Sequence, residues 1–259
     1  MQTLKGRVAI VTGASRSKGI GTAICHELAE AGADIFFTHF SPYDESSGNG
    51  CEGDWPNQLS KELQAKGVRA EHMHLDLGEE DTPTRLLQEV ENRLGVASVL
   101  VHNATYQTNT NFRTLDVETL DTYYRINNRG PILLSTAFAK RFEQTFSKEH
   151  GGRIIHLVSG GPDPDNLAYI ATKGTIRALT YPLAVGLAPL GITVNSVDPG
   201  PTDSGWIDEE LKQQFLPLFP KGRVGVPQDA AKLIRFLASA DADWITGQTI
   251  ESNGGFLGK

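Results

Sequence analysis

RVAIVTGASRSKGIGTAICHELAEAG, residues 7 to 32, begins with a β-branched run, crosses a glycine-rich turn and ends in a helical period. It is a strand–turn–helix unit. Val8 to Val11 make a short apolar strand, and Ile24, Leu28 and Ala31 share one face of a helix that Gly32 stops. Between them Gly13, Gly19 and Gly21 give G-x5-G-x-G, a departure from the G-x-G-x-x-G dinucleotide fingerprint. The frame matters more than the register. A glycine turn that leaves a strand and opens a helix offers free N–H groups and a positive dipole end to a pyrophosphate. The stretch therefore predicts a nucleotide phosphate loop.

The same alternation continues to the end of the chain. ADIFFT (33 to 38), VRAEHMHLD (68 to 76), SVLVH (98 to 102), RIIHLV (153 to 158), ITVNSV (192 to 197) and QTIES (248 to 252) read as further strands with helices between them. Seven strands joined in this way predict right-handed crossovers and one α/β domain over residues 1–259, its parallel sheet covered by helices on both faces. The odd segment is SPYDESSGNGCEGDWP, 41 to 56, rich in turn formers and without periodicity. It follows the second strand at the carboxyl end, where such sheets bind ligands, so it reads either as an adenosine-side flap or as a mobile insertion.

Composition narrows the function classes. With 259 residues, 39% hydrophobic and 21% charged, the chain has the make-up of a globular enzyme or binding domain. A net charge of -7 gives no general attraction to nucleic acid or to an anionic membrane. Cys25 and Cys51 form no C-x-x-C pair and no disulfide framework, and no apolar stretch reaches ~18 residues. A cytoplasmic protein with a small-molecule partner is expected. His72 and His74 alternate on one strand face, but no third ligand has suitable spacing, so no metal is expected.

A reactive pair lies further on. Tyr169 and Lys173 form Y-x-x-x-K on a predicted helix, one turn apart on one face. A phenol with a pKa of about 10 is a poor acid or base near neutrality, and a neighbouring ammonium favours its phenolate. Ser159 ends the strand RIIHLV ten residues before Tyr169, at a carboxyl end beside the Tyr helix. Asn127 in RINNRGP lies four residues before Pro131, whose missing N–H leaves the Asn127 carbonyl without its helical partner.

On these motifs the chain resembles the classical short-chain dehydrogenase/reductase family, with a single-domain Rossmann fold. Its loop pattern T-G-x-x-x-G-x-G fits Thr12, Gly13, Ala14, Ser15 and Arg16 at the front and Gly19, Ile20 and Gly21 at the back, leaving Ser17 and Lys18 as two extra residues. These reach the adenosine phosphate region or bulge into solvent. HLDL around Asp76, HNAT (102 to 105) and GITVNSVDPGPTDSG (191 to 205) are similar to the family's adenine-side turn, its N-N-A-G and its P-G loop. His102 and Thr105 replace the usual Asn and Gly, the stretch between Ser159 and Tyr169 is shorter than usual, and Pro182 falls within the Tyr helix, where it should kink it beyond the reactive turn.

The resemblance implies roles. Tyr169 donates a proton to a carbonyl oxygen as the nicotinamide delivers hydride, Lys173 holds the ribose hydroxyls and tunes Tyr169, Ser159 orients the substrate, and Asn127 completes a water relay. Cofactor contacts are expected from Gly13, Ser15, Arg16, Lys18, Gly19, Ile20, His39, Asp76, Leu77, Asn103, Ala104, Tyr169, Lys173, Pro199, Gly200 and Thr202. No carboxylate occurs at the end of the second strand before Asp44, and Arg16 and Lys18 add positive charge, so NADP(H) is favoured over NAD(H). Trp206, Ile207, Phe215, Leu216, Leu218 and Phe219 make residues 202–222 either a lid over an apolar substrate or a helix packed on the core. A 3-oxoacyl thioester suits such a lid. The competing reading is a cofactor-sensing or regulatory protein on the same fold. The family also implies a homodimer or homotetramer.

Overall fold

The run Val8–Val11 forms β1, and its alternate side chains enter two different cores. Ala9 and Val11 point to one side of the sheet, Val8 and Ile10 to the other. A strand buried on both faces needs no polar alternation, which is why this one reads as continuously apolar. The computed structural model describes residues 3–46 and 52–258.

After β1 the described chain runs α1 (Ile20–Glu30), β2 (Asp34–His39), α2 (Ser41–Ser46), α3 (Trp55–Gln64), β3 (Ala70–His74), α4 (Thr82–Arg93) and β4 (Val99–His102). It continues through α5 (Val117–Tyr124), α6 (Gly130–Thr145), β5 (Gly152–Leu157), α7 (Leu167–Leu187), β6 (Ile192–Asp198), α8 (Glu209–Phe215), α9 (Pro227–Ala238) and β7 (Thr249–Glu251). All pairings are parallel, in the order β3-β2-β1-β4-β5-β6-β7. The expected doubly wound α/β sheet is therefore present. Ile24 and Leu28 of α1, Leu59 of α3 and Ile234 of α9 fill one core. Leu86 of α4, Leu134 and Phe138 of α6 and Ala184 of α7 fill the other. Each fully buried Leu or Phe contributes about 1.5–3 kcal/mol of transfer free energy. Among the described residues no helix is long and apolar enough to cross a membrane.

The order reverses at β1, whose neighbours are β2 and β4, so the glycine turn leaving β1 opens into the crevice where such sheets bind ligands. Local chemistry shapes the other side of that crevice. Between α5 and α6 the backbone widens into a π-turn over Arg125–Arg129, and the Gly130 N–H donates to the Arg125 carbonyl. Pro131 explains the widening, because it has no N–H for the regular ladder. Pro182 lies inside α7 without ending it. Of the long segment after β2, residues 41–46 are helical, and residues 47–51, with Cys51, lie outside the described residues. Cys25 is buried, and burial pushes its thiol well above the usual range.

Candidate active site

The glycine loop is held from both flanking strands. The Thr12 hydroxyl accepts the N–H groups of Asn103 and Ala104, both at 3.1 Å, and Asn103 Nδ2 donates to the carbonyls of Thr12 (3.0 Å) and Gly13 (2.7 Å). On the other side the N–H groups of Gly13 and Ala14 donate to the Thr38 carbonyl, and the Phe40 N–H donates to Ser15 Oγ at 3.2 Å. Such closeness excludes side chains. Gly13 has φ +77°, and a Cβ there would lie 2.7 Å from Ala104 Cα. A Cβ at Gly21 would lie 2.4 Å from the Gly13 carbonyl oxygen. Gly19 is the extended N-cap of α1, with no side-chain cap and no acidic residue in the first turn. These features suit a pyrophosphate, which needs backbone donors without a competing carboxylate in that turn.

The two extra residues are engaged by other segments. Ser17 donates its N–H (3.2 Å) and hydroxyl (3.0 Å) to the Glu52 carboxylate, and Lys18 lays its stem along Gly205, with Cδ 3.8 Å from that residue's Cβ position. Arg16 Nη1 donates to the Ser204 carbonyl at 3.3 Å. Trp55 Nε1 donates to Thr22 Oγ1, whose hydroxyl in turn donates to the Arg16 carbonyl. The loop thus touches the start of α3 on one side and the segment after β6 on the other. Both residues stay exposed, with Ser17 tied to Glu52 and Lys18 beside Gly205.

The remaining expected cofactor residues ring the same crevice. His39 Nε2 lies 3.2 Å from His72 Nδ1, and His74 stands edge-on to His39. Burial first, then His72 and His74, pushes His39 down to about 4, so it is a neutral polar group. Asp76 turns inward on its own turn, its carboxylate accepting the Gly78 N–H at 2.7 Å. Leu77 is buried, and its carbonyl comes within 2.4 Å of a Cβ position at Gly130. After Pro199, Gly200 donates its N–H to the Asp198 carboxylate at 3.0 Å, and Thr202 is buried with its hydroxyl donating to the Gly200 carbonyl at 3.1 Å.

Tyr169, Lys173 and Ser159 come together at the mouth of β5. Lys173 is buried, donates Nζ to the Leu157 carbonyl at 2.9 Å and lies 5.5 Å from the Tyr169 ring centre. Burial lowers it to about 8, and the charge of Asp198 opposes that shift. Tyr169 differs from the expectation for an ammonium-tuned phenol. Burial pushes it up, Asp198, Tyr43 and Tyr123 add to the rise, and only the hydrogen bond from Ser159 pulls it down. The isolated protein therefore keeps Tyr169 as a protonated acid, because desolvation outweighs its polar neighbours.

Asn127 is buried in the π-turn, and its side chain is fully employed. Its Oδ1 accepts the Tyr106 N–H at 2.7 Å, and its Nδ2 donates to the Tyr106 carbonyl (2.9 Å) and to Thr172 Oγ1 (3.2 Å). It ties the segment after β4 to the Tyr helix. The short stretch between Ser159 and Tyr169 is tied to that segment as well. Asn111 Nδ2 donates to Asp165 at 2.9 Å and Gln107 Nε2 to Asn166 Oδ1 at 3.0 Å.

Sequence reasoning missed Tyr43 and Asp198. Tyr43 of α2 donates its hydroxyl to the Gln107 carbonyl at 3.0 Å, and its ring stands 5.6 Å from that of Tyr106. The segment after β2 thus crosses to the side of the crevice that holds Tyr169. Its local composition gave no signal for a partner 64 residues away. In the segment after β6, Trp206 Nε1 donates to the Thr202 carbonyl at 2.8 Å, and Trp206, Phe215, Phe256 and Phe219 form a chain of ring contacts.

Comparison with known proteins agrees with this geometry. Residues 13–257 match the family described as enoyl-(acyl carrier protein) reductase. The uncharacterized oxidoreductase YjdA of Bacillus subtilis is 44% identical over 254 residues, covering 97% of each chain. The 3-oxoacyl-[acyl-carrier-protein] reductase FabG of Aquifex aeolicus is 30% identical over 261 residues, covering 98% of each. Among solved structures, a blue fluorescent protein from a metagenomic library in complex with NADPH superposes with a TM-score of 0.83 at 31% identity, over 98% of this chain and 99% of that one.

Proposed function

The chain belongs to the short-chain dehydrogenase/reductase family of oxidoreductases, and from that premise we propose that it is an NADP(H)-dependent enzyme interconverting a carbonyl and a secondary alcohol. The observation that carries this reading is a half-buried, protonated Tyr169 beside Ser159, with Lys173 one helical turn on and 5.5 Å from its ring centre. A carbonyl oxygen placed between the two hydroxyls would accept from both as negative charge develops on it. Bound, the nicotinamide supplies or accepts the hydride. Tyr169 gives its proton to that oxygen in reduction and takes it back in oxidation, while Lys173 steadies the phenolate so formed. Asn127 keeps the Tyr106 backbone and Thr172 in place on either side. The Gly19 N–H donates to the Arg16 carbonyl, the backbone donors at Ile20 and Gly21 suit the pyrophosphate, and Asn103, Ala104, Pro199, Gly200 and Thr202 line the path toward the nicotinamide.

The cofactor preference rests on β2, whose end carries Thr38, His39 and Phe40 in place of an acid that would repel a 2'-phosphate. Glu52 lies against the loop, but its charge is engaged by two Ser17 donors. NADPH is expected to bind about tenfold more tightly than NADH, equivalent to about 1.4 kcal/mol. Fluorescence titration of both measures this, and tighter binding of NADH reverses the assignment.

For the substrate, the aromatic chain from Trp206 to Phe219 favours a carbonyl on an apolar body, with a 3-oxoacyl thioester first in order. The test is a panel of 3-oxoacyl thioesters, ketones, aldehydes and enoyl thioesters with NADPH, read by loss of nicotinamide absorbance. Turnover of carbonyls supports the reading. Tight cofactor binding with no turnover replaces it by the cofactor-sensing reading.

A further inference from the structure

The even-numbered residues of β6 face α7. Ile192 and Val194 share the core of Ala184, the hydroxyl of Ser196 lies 2.6 Å from that of Thr180, and the Asp198 carboxylate lies 3.6 Å from Arg177 Nη1. Asp198 is only 3% exposed, and a carboxylate so placed is costly unless opposite charges and donors meet it. Arg177 follows Lys173 by one turn and Tyr169 by two, so all three share a face of α7. Its guanidinium also passes Gly160, where a Cβ would lie 2.8 Å from Nη1. The pair thus joins the end of β6 to the residue after Ser159.

We propose that Asp198 is a positioning residue of this site: the buried counter-ion that keeps Lys173 an ammonium, itself shared with Arg177, so that these three charges set the pH range of the reaction. The inference rests on the carbonyl-reductase reading. The surroundings leave Asp198 in this role. His102 and His156, stacked at 4.7 Å on β4 and β5, both feel the charge of Lys173, and burial keeps them neutral, His156 at about 3. Tyr43 and Tyr123 also lie close enough to act on Tyr169. Glu251 of β7 lies beside Asp198 in register, and its carboxylate accepts from Asn253 Nδ2 at 3.3 Å.

The signs follow from the charges. In reduction the site needs charged Lys173 and protonated Tyr169, so activity falls as pH rises through the range where either loses its proton. Asp198→Asn removes a negative charge that holds both protons, and the alkaline limb moves down by about one pH unit. Arg177→Met removes a positive charge that competes for Asp198, and the limb moves up. Opposite shifts are the signature, since general damage to the site would lower activity without moving the limb in two directions.

The experiment is the pH profile of kcat/KM for carbonyl reduction in the wild type and both variants. It is joined by an NMR titration of 13C-labelled lysine side chains, with Lys173→Met identifying the Lys173 signal. The expected result is a wild-type Lys173 midpoint near 8, lower in Asp198→Asn and higher in Arg177→Met, with the limbs moving alike. Unmoved midpoints, or shifts of one sign in both variants, overturn the inference. If Asp198→Asn does not fold, the sign in Arg177→Met decides, because that side chain is 37% exposed. A wild type inactive on every carbonyl rejects the functional reading alone, since the lysine titration needs no turnover.

Discussion

Tyr169→Phe is expected to lower carbonyl turnover by about a thousandfold or more while NADPH binding changes by less than about twofold. The substitution removes one oxygen from a half-buried ring and leaves the ring's contact with Lys173, 5.5 Å from its centre, in place. What disappears is the proton donor. Ser159 remains and still donates to the substrate oxygen, but an alcohol lacks the acidity to complete the transfer. The high phenol pKa of the isolated protein makes the direction clear: Tyr169 carries its proton throughout the neutral range, ready to give it up when an oxyanion forms beside it. Steady-state kinetics with a responsive carbonyl, together with NADPH titration, checks this. Retained turnover would remove Tyr169 from the role of acid, and lost cofactor binding would make its contribution structural.

Gly21→Ala should cost about 3 kcal/mol, felt as roughly hundredfold weaker NADPH binding or as a matching loss of stability. The added Cβ would stand 2.4 Å from the Gly13 carbonyl oxygen and 2.7 Å from Asn103 Nδ2, atoms that bond to each other. Neither can yield alone. Moving the carbonyl shifts a glycine in left-handed conformation against Ala104, and moving the amide breaks the tie between the loop and β4. Thermal denaturation with and without NADPH separates the two routes. A variant with wild-type melting and wild-type affinity would show that the loop has slack that these distances do not suggest.

How much of this was legible beforehand depended on whether the physical cause was local. Val8 to Val11 read as a central strand because burial on both faces imposes an unbroken apolar run. Tyr169 and Lys173 read as a pair because helical geometry turns a spacing of four into proximity. Pro131 signalled the altered helix before Asn127's surroundings were known, although a π-turn is one of several ways to accommodate a missing N–H. Asp198 was harder. It sits at the end of a strand whose alternation, Ile192, Val194, Ser196, Asp198, names the face toward α7 only once the neighbouring helix is known. The raised phenol of Tyr169 had no sequence signature, since desolvation comes from atoms contributed by many segments. Tyr43 had none either, because a contact with Gln107 across the crevice leaves no periodic trace.

The short stretch between Ser159 and Tyr169 bears on how such a chain can change over generations. Ser159 lies two residues past the end of β5, and the Tyr helix is pinned independently to β5 by Lys173 on the Leu157 carbonyl and to β6 by Thr180 on Ser196. The residues between them are held to the opposite wall by the side chains of Asn111 and Gln107 and by a short parallel bridge between Thr110 and Asn166. Insertions or deletions there can remodel the mouth of the pocket while the reacting atoms keep their spacing. The chemistry is inherited from the sheet, and selectivity becomes a separable module, open to drift and selection at little risk to turnover.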